Sequence, residues 1–271
     1  MSKYIGRLAP TPSGFLHVGH LQTFKEACLR AKLAGGKIIL RIEDIDSSRT
    51  RKEYIDAAVK DMRSFGISWD EGYGVSSDSS KYLQSNRILL YKDALSKLAK
   101  KGVIYKSFVS RKELTSFQSK IAKPFDFLEG EKIFPSQLRE NAKSLILSES
   151  DFFANWRFQV PDGKTISFED KNFGKISLVA GKDFGDFSVW RKNGEPMYEL
   201  AVCVDDADMK ITEVVRGADL LVSTARQILL YEALELKVPD FFHCPLVLDD
   251  NGKKLSKSVL KKNSPHLLKN K

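Results

Sequence analysis

Residues 4–42 follow a pattern that few local architectures accommodate. Tyr4-Ile5-Gly6-Arg7-Leu8 is a short apolar run of strand type, and residues 37–42, Lys-Ile-Ile-Leu-Arg-Ile, are a second. Between them, Ala9-Pro10-Thr11-Pro12-Ser13-Gly14 is built of turn formers that continue neither a strand nor a helix. After His17-Val18-Gly19-His20, apolar residues fall at helical spacing, Leu21, Phe24, Cys28 and Ala31, until Gly35-Gly36 stops the helix. Strand, turn, helix and strand in that order predict a βαβ unit with parallel strands. Two of the chain's four histidines fall on the first turn of the predicted helix. Backbone N–H groups point outward there and the helix dipole favours an anion, usually phosphate.

Beyond this unit, apolar periodicity predicts amphipathic helices over about 51–65 and about 82–101, closed by Gly66 and Gly102. From about 106 to 185 the chain is less periodic and richer in Phe, Lys and turn residues, with a hairpin expected through Val160-Pro161-Asp162-Gly163-Lys164. Regular patterning returns with Phe187-Ser188-Val189-Trp190 and Ile211 to Arg216. A helix opened by Ser223 as N-cap and a strand near Leu246-Val247-Leu248 follow. The expected fold is α/β: a doubly wound, Rossmann-like parallel sheet split by an α+β insertion. Residues 1–105 would form its first half, 106–185 the insertion, 186–245 the second half, and 246–271 a loop and basic tail.

A chain of 271 residues can bury one large core or two modest ones. No apolar run reaches the length of a membrane span and the N-terminus has no signal-peptide core, so a cytoplasmic, membrane-free protein is expected. Cys28, Cys203 and Cys244 are odd in number and far apart, which offers neither a disulfide framework nor a metal-ligand spacing. The formal net charge is +9, and seven lysines from Lys253 onward, with no acid among them, supply most of it. Such a tail either keeps the chain soluble or neutralises phosphates of a polyanion. It includes Lys254-Leu255-Ser256-Lys257-Ser258, a loop that could close over phosphates held at the histidine turn.

Together, the His17–His20 string and the Lys254–Ser258 string resemble the two signature motifs of class I aminoacyl-tRNA synthetases. Gly6 to Gly14, Arg41-Ile42-Glu43-Asp44-Ile45-Asp46 and Glu213 to Leu220 are similar to the glutamate-handling branch. The resemblance implies a monomer that takes ATP with Mg2+, L-glutamate and tRNA. It implies ATP contacts at His17, Gly19, His20, Lys254, Ser256 and Lys257, with His17, His20 and Lys257 catalytic and Lys257 stabilising the departing pyrophosphate. Arg7 and Arg216 would bind the glutamate carboxylates, since a guanidinium fork fits a carboxylate better than a carboxamide. Glu43 would accept the α-ammonium, and Thr11 and Tyr198 would complete the pocket. A structural ion pair of Arg216 with Asp205, Asp206 or Asp219 is the alternative to its binding role.

Only thirteen residues follow Ser258, where full glutamyl-tRNA synthetases continue into an anticodon-reading region. The shorter plan resembles the glutamyl-queuosine tRNA(Asp) synthetases, which attach glutamate to the queuosine base of the anticodon. The alternatives are a truncated glutamyl-tRNA synthetase charging the tRNA 3′ end and a non-catalytic RNA-binding relative. Relatives often begin a zinc site with Tyr-x-Cys-x-Cys, where this chain has Ser107 and Val109 after Tyr105. No zinc is therefore expected.

Overall fold

The structure, a computed structural model, describes residues 3–109, 113 and 133–246. Contacts gather the chain into two compact units. The first holds the described residues up to Asn86 together with Glu213–Ala218 and residues 244–246. Its strand β1 (Ile5–Leu8), helix α1 (Val18–Leu33) and strand β2 (Lys37–Leu40) form the expected βαβ unit. β1 and β2 run parallel, with Ile5 opposite Lys37 and Leu8 opposite Leu40. Helix α2 (Lys52–Ser64) leads to the short β3 (Glu71–Gly72), parallel to β2 on its far side. Strand β9 (Glu213–Gly217) lies against β1, where the Tyr4 hydroxyl donates to Glu213 Oε1 at 2.9 Å. Arg30 on α1 clamps the same carboxylate with two nitrogens at 2.6 and 2.9 Å, so helix and both strands share one acid.

The core of this unit is Leu8, Ile38, Ile39, Leu40 and Ile42 under Leu21, Phe24, Ala27 and Ala31 of α1. Ala27, not the half-buried Cys28, takes the inward place on the helix. Gly35 ends α1 at φ +60°, donating to Lys32 O while Gly36 donates to Ala31 O. This paired closure needs a left-handed residue, which glycine adopts without a Cβ penalty. Gly66 and Gly102 close α2 and the next helix in the same conformation.

The expected helix over 82–101 begins later than its periodicity predicts. Helix α3 (Ile88–Lys100) is preceded by 3-10 turns at Ser79–Tyr82 and Gln84–Arg87. Tertiary bonds hold the intervening residues off the helical path: Gln84 N–H donates to Ile42 O at 3.1 Å, and Ser85 donates to the Asp44 carboxylate through both N–H (2.9 Å) and hydroxyl (2.6 Å).

The second unit holds Arg87–Thr212 and Asp219–His243. Strands β4 (Ile104–Lys106), β5 (Trp156–Phe158) and β8 (Phe187–Trp190) make an antiparallel sheet. β6 (Thr165–Asp170) and β7 (Gly174–Val179) are an antiparallel hairpin, and β10 (Asp240–Cys244) runs parallel to β6. The Pro161–Lys164 turn does form, with Lys164 N–H on Pro161 O at 3.0 Å, but it does not join a hairpin. Gly163 and Lys164 pair with Ala180 beyond β7, whereas β5 pairs with β4 and β8, so this turn passes the chain between two sheets. The hairpin turn lies instead between β6 and β7.

Two helices pack beside these sheets, α4 (Tyr198–Asp208), which the periodicity does not reveal, and α5 (Leu221–Leu234). Ser223 does not cap α5. The helix enters from a 3-10 turn at Ala218–Leu220 with Leu220 as N-cap, and the Ser223 hydroxyl donates to Glu199 Oε1 on α4 at 2.8 Å. The strand expected near 246–248 ends earlier, at Cys244; Leu246 is irregular and exposed, and 247–248 lie outside the described residues. No helix among the described residues is long and apolar enough to cross a membrane.

Candidate active site

The turn-forming segment after β1 is tied down from two sides. Glu43 N–H donates to Pro10 O at 3.0 Å and Arg51 N–H to Pro12 O at 3.3 Å, fastening it to the exit of β2 and the entry of α2. Pro12, Gly14 and Leu16 are buried beneath it. The segment delivers His17 not into the first helical turn but one position before it, as the N-cap of α1, with extended backbone (φ −115°, ψ 167°). His20 occupies the third helical position, and its Nδ1 accepts the N–H of His17 at 3.2 Å. It thereby fills the place that Glu or Gln takes in a capping box. The two rings lie 3.6 Å apart at 32°. Gly19 sits between them at the second helical position, its carbonyl accepting from Thr23. Both imidazoles thus sit half-buried at the positive end of a sixteen-residue helix, the geometry that suits phosphate.

A second group gathers where β1, β2 and β9 end. Arg7 is buried on β1, and its Nη1 donates to Val215 O on β9 at 2.7 Å. The next residue of β9 is Arg216, also buried, so both expected guanidinium groups arrive on contacting strands of one unit. Glu43 follows β2 and is 6% exposed. Its Oε1 is engaged by Arg41 Nη2 and its Oε2 by the Thr11 hydroxyl, each at 3.3 Å. Arg7, Thr11, His17, Gly19, His20, Glu43 and Arg216 all fall in this first unit. Tyr198 opens α4 in the second unit. Lys254, Ser256 and Lys257 lie outside the described residues. Of the acids offered as structural partners for Arg216, Asp205 is occupied inside the second unit by Arg87 Nε at 2.7 Å and by the Tyr91 hydroxyl at 3.0 Å.

Sequence reasoning passed over two supports. Arg41 is wholly buried behind Glu43, and the Asp44 carboxylate is spent on Ser85. An arginine two residues before an acid, at the end of an apolar strand, is the only sequence signal for the first. Nothing local marks the second, whose partner lies forty-one residues away.

The residues at the family's zinc position do not fit a metal. Ser107 donates its N–H to Asn155 O, and its hydroxyl accepts from Arg157 Nε at 3.2 Å. The strand before it, β4, is tied to Asp186 through Tyr105. That fully buried carboxylate accepts from the Tyr105 hydroxyl (2.7 Å), Arg139 Nε and Nη2 (2.7 and 2.8 Å) and Val160 N–H (2.9 Å). Burial, together with the neighbouring Asp186 charge, pushes the Tyr105 phenol well above its ordinary range. Among the described residues no three His, Cys, Asp or Glu side chains gather as a metal-binding group.

The profile described as "tRNA synthetases class I (E and Q), catalytic domain" matches residues 4–267. A "Glutamyl-Q tRNA(Asp) synthetase" of Symbiobacterium thermophilum is 43% identical over 93% of this chain and 77% of its own length. A protein of the same name from Nitratidesulfovibrio vulgaris is 38% identical over the same shares. A glutamate tRNA ligase of Elizabethkingia meningosepticum, solved in complex with its amino acid, superposes with a TM-score of 0.77 at 31% identity. It is matched over 97% of this chain, which spans about half (53%) of its length. With a parallel βαβ core, a histidine-capped first helix and this likeness over nearly its whole length, the chain belongs to the class I tRNA synthetases of the glutamate and glutamine branch, as an aminoacyl-tRNA synthetase-like ligase.

Proposed function

We propose that this enzyme activates L-glutamate with ATP·Mg2+ and transfers it to queuosine in the anticodon of tRNA(Asp). The observation that supports the reading is that Arg7, Arg216, Glu43 and the His17–His20 cap all fall in one unit, with Arg7 bonded to β9 one residue before Arg216. In the first step a glutamate α-carboxylate oxygen attacks the α-phosphorus of ATP. A P–O bond forms, the bond to the β-phosphate oxygen breaks, and pyrophosphate leaves. Charge builds on phosphoryl oxygens, so fixed donors serve better than a base. His17 and His20, with the N–H groups of the first turn of α1, supply donors on one side. Lys254, Ser256 and Lys257 supply them on the other, Lys257 meeting the pyrophosphate. Arg7 and Arg216 pair with the substrate carboxylates, Glu43 takes the α-ammonium, and Thr11 and Tyr198 complete the pocket. In the second step an acceptor hydroxyl attacks the acyl carbon and AMP departs.

The choice of acceptor rests on the two relatives named as glutamyl-Q tRNA(Asp) synthetases. The division into catalytic halves at 1–105 and 186–245, an RNA-contacting insertion at 106–185 and a loop with a basic tail at 246–271 belongs to the same proposal.

Glutamate-dependent ATP–pyrophosphate exchange without tRNA tests the activation step. Exchange that appears only with tRNA identifies a glutamyl-tRNA synthetase of the 3′-charging kind, and none under either condition removes the catalytic reading. Transfer of labelled glutamate to tRNA(Asp) with and without queuosine then tests the acceptor; equal labelling of both rules queuosine out.

A further inference from the structure

Phe15 stands in the turn two residues before the His17 cap of α1, and no step of the proposed reaction uses it. Its neighbours Gly14 and Leu16 are buried, whereas its own side chain is 55% exposed. A lone apolar residue on a surface loop needs no explanation. This ring, however, is held in place. It meets Tyr54 of α2 edge-to-face, with centroids 5.1 Å apart and planes at 83°. The backbones carrying the two rings are fastened together, Arg51 N–H donating to Pro12 O at 3.3 Å and Tyr54 N–H to Arg51 O at 3.0 Å. A fixed aromatic that stays open to solvent can stack on a ligand with little side-chain ordering left to do. Two exposed cations, Arg51 and Lys52, come just before Tyr54, with Glu53 the acid of the same turn. Arg51 Nη1 donates to the carbonyls of Thr50 at 2.9 Å and Ser48 at 3.4 Å, neutral groups that orient the guanidinium without cancelling its charge. An open aromatic beside exposed cations is the pairing that unpaired nucleic acid calls for, since bases stack and phosphates need positive charge.

We propose that Phe15, backed by Tyr54, is a stacking platform for an unpaired base of the acceptor RNA, with Arg51 and Lys52 meeting its backbone phosphates. The inference rests on the reading of the chain as a ligase acting on tRNA, and it names where that RNA lies on the first unit. The adenine of ATP is the other base that could use the ring. In the proposed reaction, though, the phosphates of ATP lie at the histidine cap, so its adenine would bring none to Arg51 and Lys52.

The test is Phe15→Leu in the full chain, which keeps an apolar side chain and removes the π face, with Phe15→Trp and Arg51→Gln alongside. Affinity for tRNA(Asp) is titrated at several salt concentrations, and glutamate-dependent pyrophosphate exchange gives the KM for ATP. Phe15→Leu should weaken tRNA binding about 5- to 100-fold, the range for one stacked base, with no change in salt dependence. Phe15→Trp should bind tRNA within about threefold of the parent, and the ATP KM should hold within the same factor throughout. Arg51→Gln should lower the slope of log affinity against log salt by about one. Unchanged tRNA affinity in Phe15→Leu overturns the proposal, and an unchanged slope in Arg51→Gln overturns its phosphate contact. A raised ATP KM with tRNA affinity kept gives the ring to adenine and also overturns it. Failure of Phe15→Leu to fold, or weakening of both ligands together, marks a merely structural ring and ends the proposal. A parent that does not bind tRNA rejects the ligase reading itself; a parent that binds it, with Phe15→Leu equal to it, rejects the platform alone.

Discussion

Glu43 in the first unit and Asp186 in the second are both buried carboxylates facing an arginine, but they are held to different degrees. Asp186 receives four donors between 2.7 and 2.9 Å, two of them the fork of Arg139, and Arg157 adds a bond to its backbone carbonyl. Its partners come from β4, from the segment after Phe134, and from the stretch following β5, so one side chain joins three parts of the chain that are distant in sequence. Glu43 is held at 3.3 Å by Arg41 and Thr11, residues from its own and the adjoining strand exits. Asp186 ties parts of one unit together, whereas Glu43 is the residue we propose to meet the substrate ammonium. Burial and an arginine partner are common to both; the arginine distances, 2.7 and 2.8 Å at Asp186 and 3.3 Å at Glu43, differ.

The comparison predicts effects of different kinds. The largest belongs to Asp186: Asp186→Ala leaves Arg139 and Tyr105 without their shared acceptor, at a cost of about 3–5 kcal/mol. Thermal unfolding should show a large drop in Tm, unchanged by chelators in variant and parent alike. A chelator-sensitive Tm would mean that a metal shares the cross-linking. Glu43→Gln should reverse the pattern, with Tm nearly kept and kcat/KM for glutamate lowered about 10- to 100-fold, while the ATP KM holds. If Glu43→Gln unfolds the protein as readily as Asp186→Ala, the contrast between the two carboxylates collapses.

A third carboxylate sharpens the distinction through pH. Burial works to raise the Asp170 carboxyl, but the His243 bond at 2.6 Å and the N–H groups of Phe173 and Asn172 outweigh it and hold it below the ordinary range. A group depressed by folding contributes stability above its unfolded value, about 3.9, and loses it as pH falls through the lower folded value. The Tm of the parent should therefore decline through that acid window, and Asp170→Asn should be less stable at neutral pH with a shallower decline. The smallest effect is expected for Thr11→Val, which removes one 3.3 Å bond to Glu43: about a threefold to tenfold rise in glutamate KM, measured by exchange, with Tm unchanged.

The sequence read most clearly where one residue type meets one local demand. Gly35, Gly66 and Gly102 marked helix ends because each occupies the left-handed position that closes its helix. The places of Arg7, Glu43 and the histidine turn were legible because each follows a short apolar run or opens a helix, and they lie on β1, after β2 and at the start of α1. Ser223 misled because its hydroxyl serves Glu199, twenty-four residues away, and not its own helix. The start of α3 was misplaced for the same reason, since Asp44 and Ile42 hold residues 84–85. The Asp186 cluster has partners 26 to 81 positions away and leaves no periodic trace.

The bond between His17 N–H and His20 Nδ1 has one further consequence. A ring nitrogen that accepts a backbone hydrogen cannot carry one of its own, so in the neutral ring the single hydrogen of His20 resides on Nε2. The opening turn of α1 therefore chooses a tautomer as well as a direction for the chain. The imidazole stands as a donor through Nε2, and a proton arriving at Nδ1 would first have to evict the helix cap. Helix entry and hydrogen inventory become one two-position lock, in which loosening the backbone at His17 also frees the chemistry of the ring three residues on.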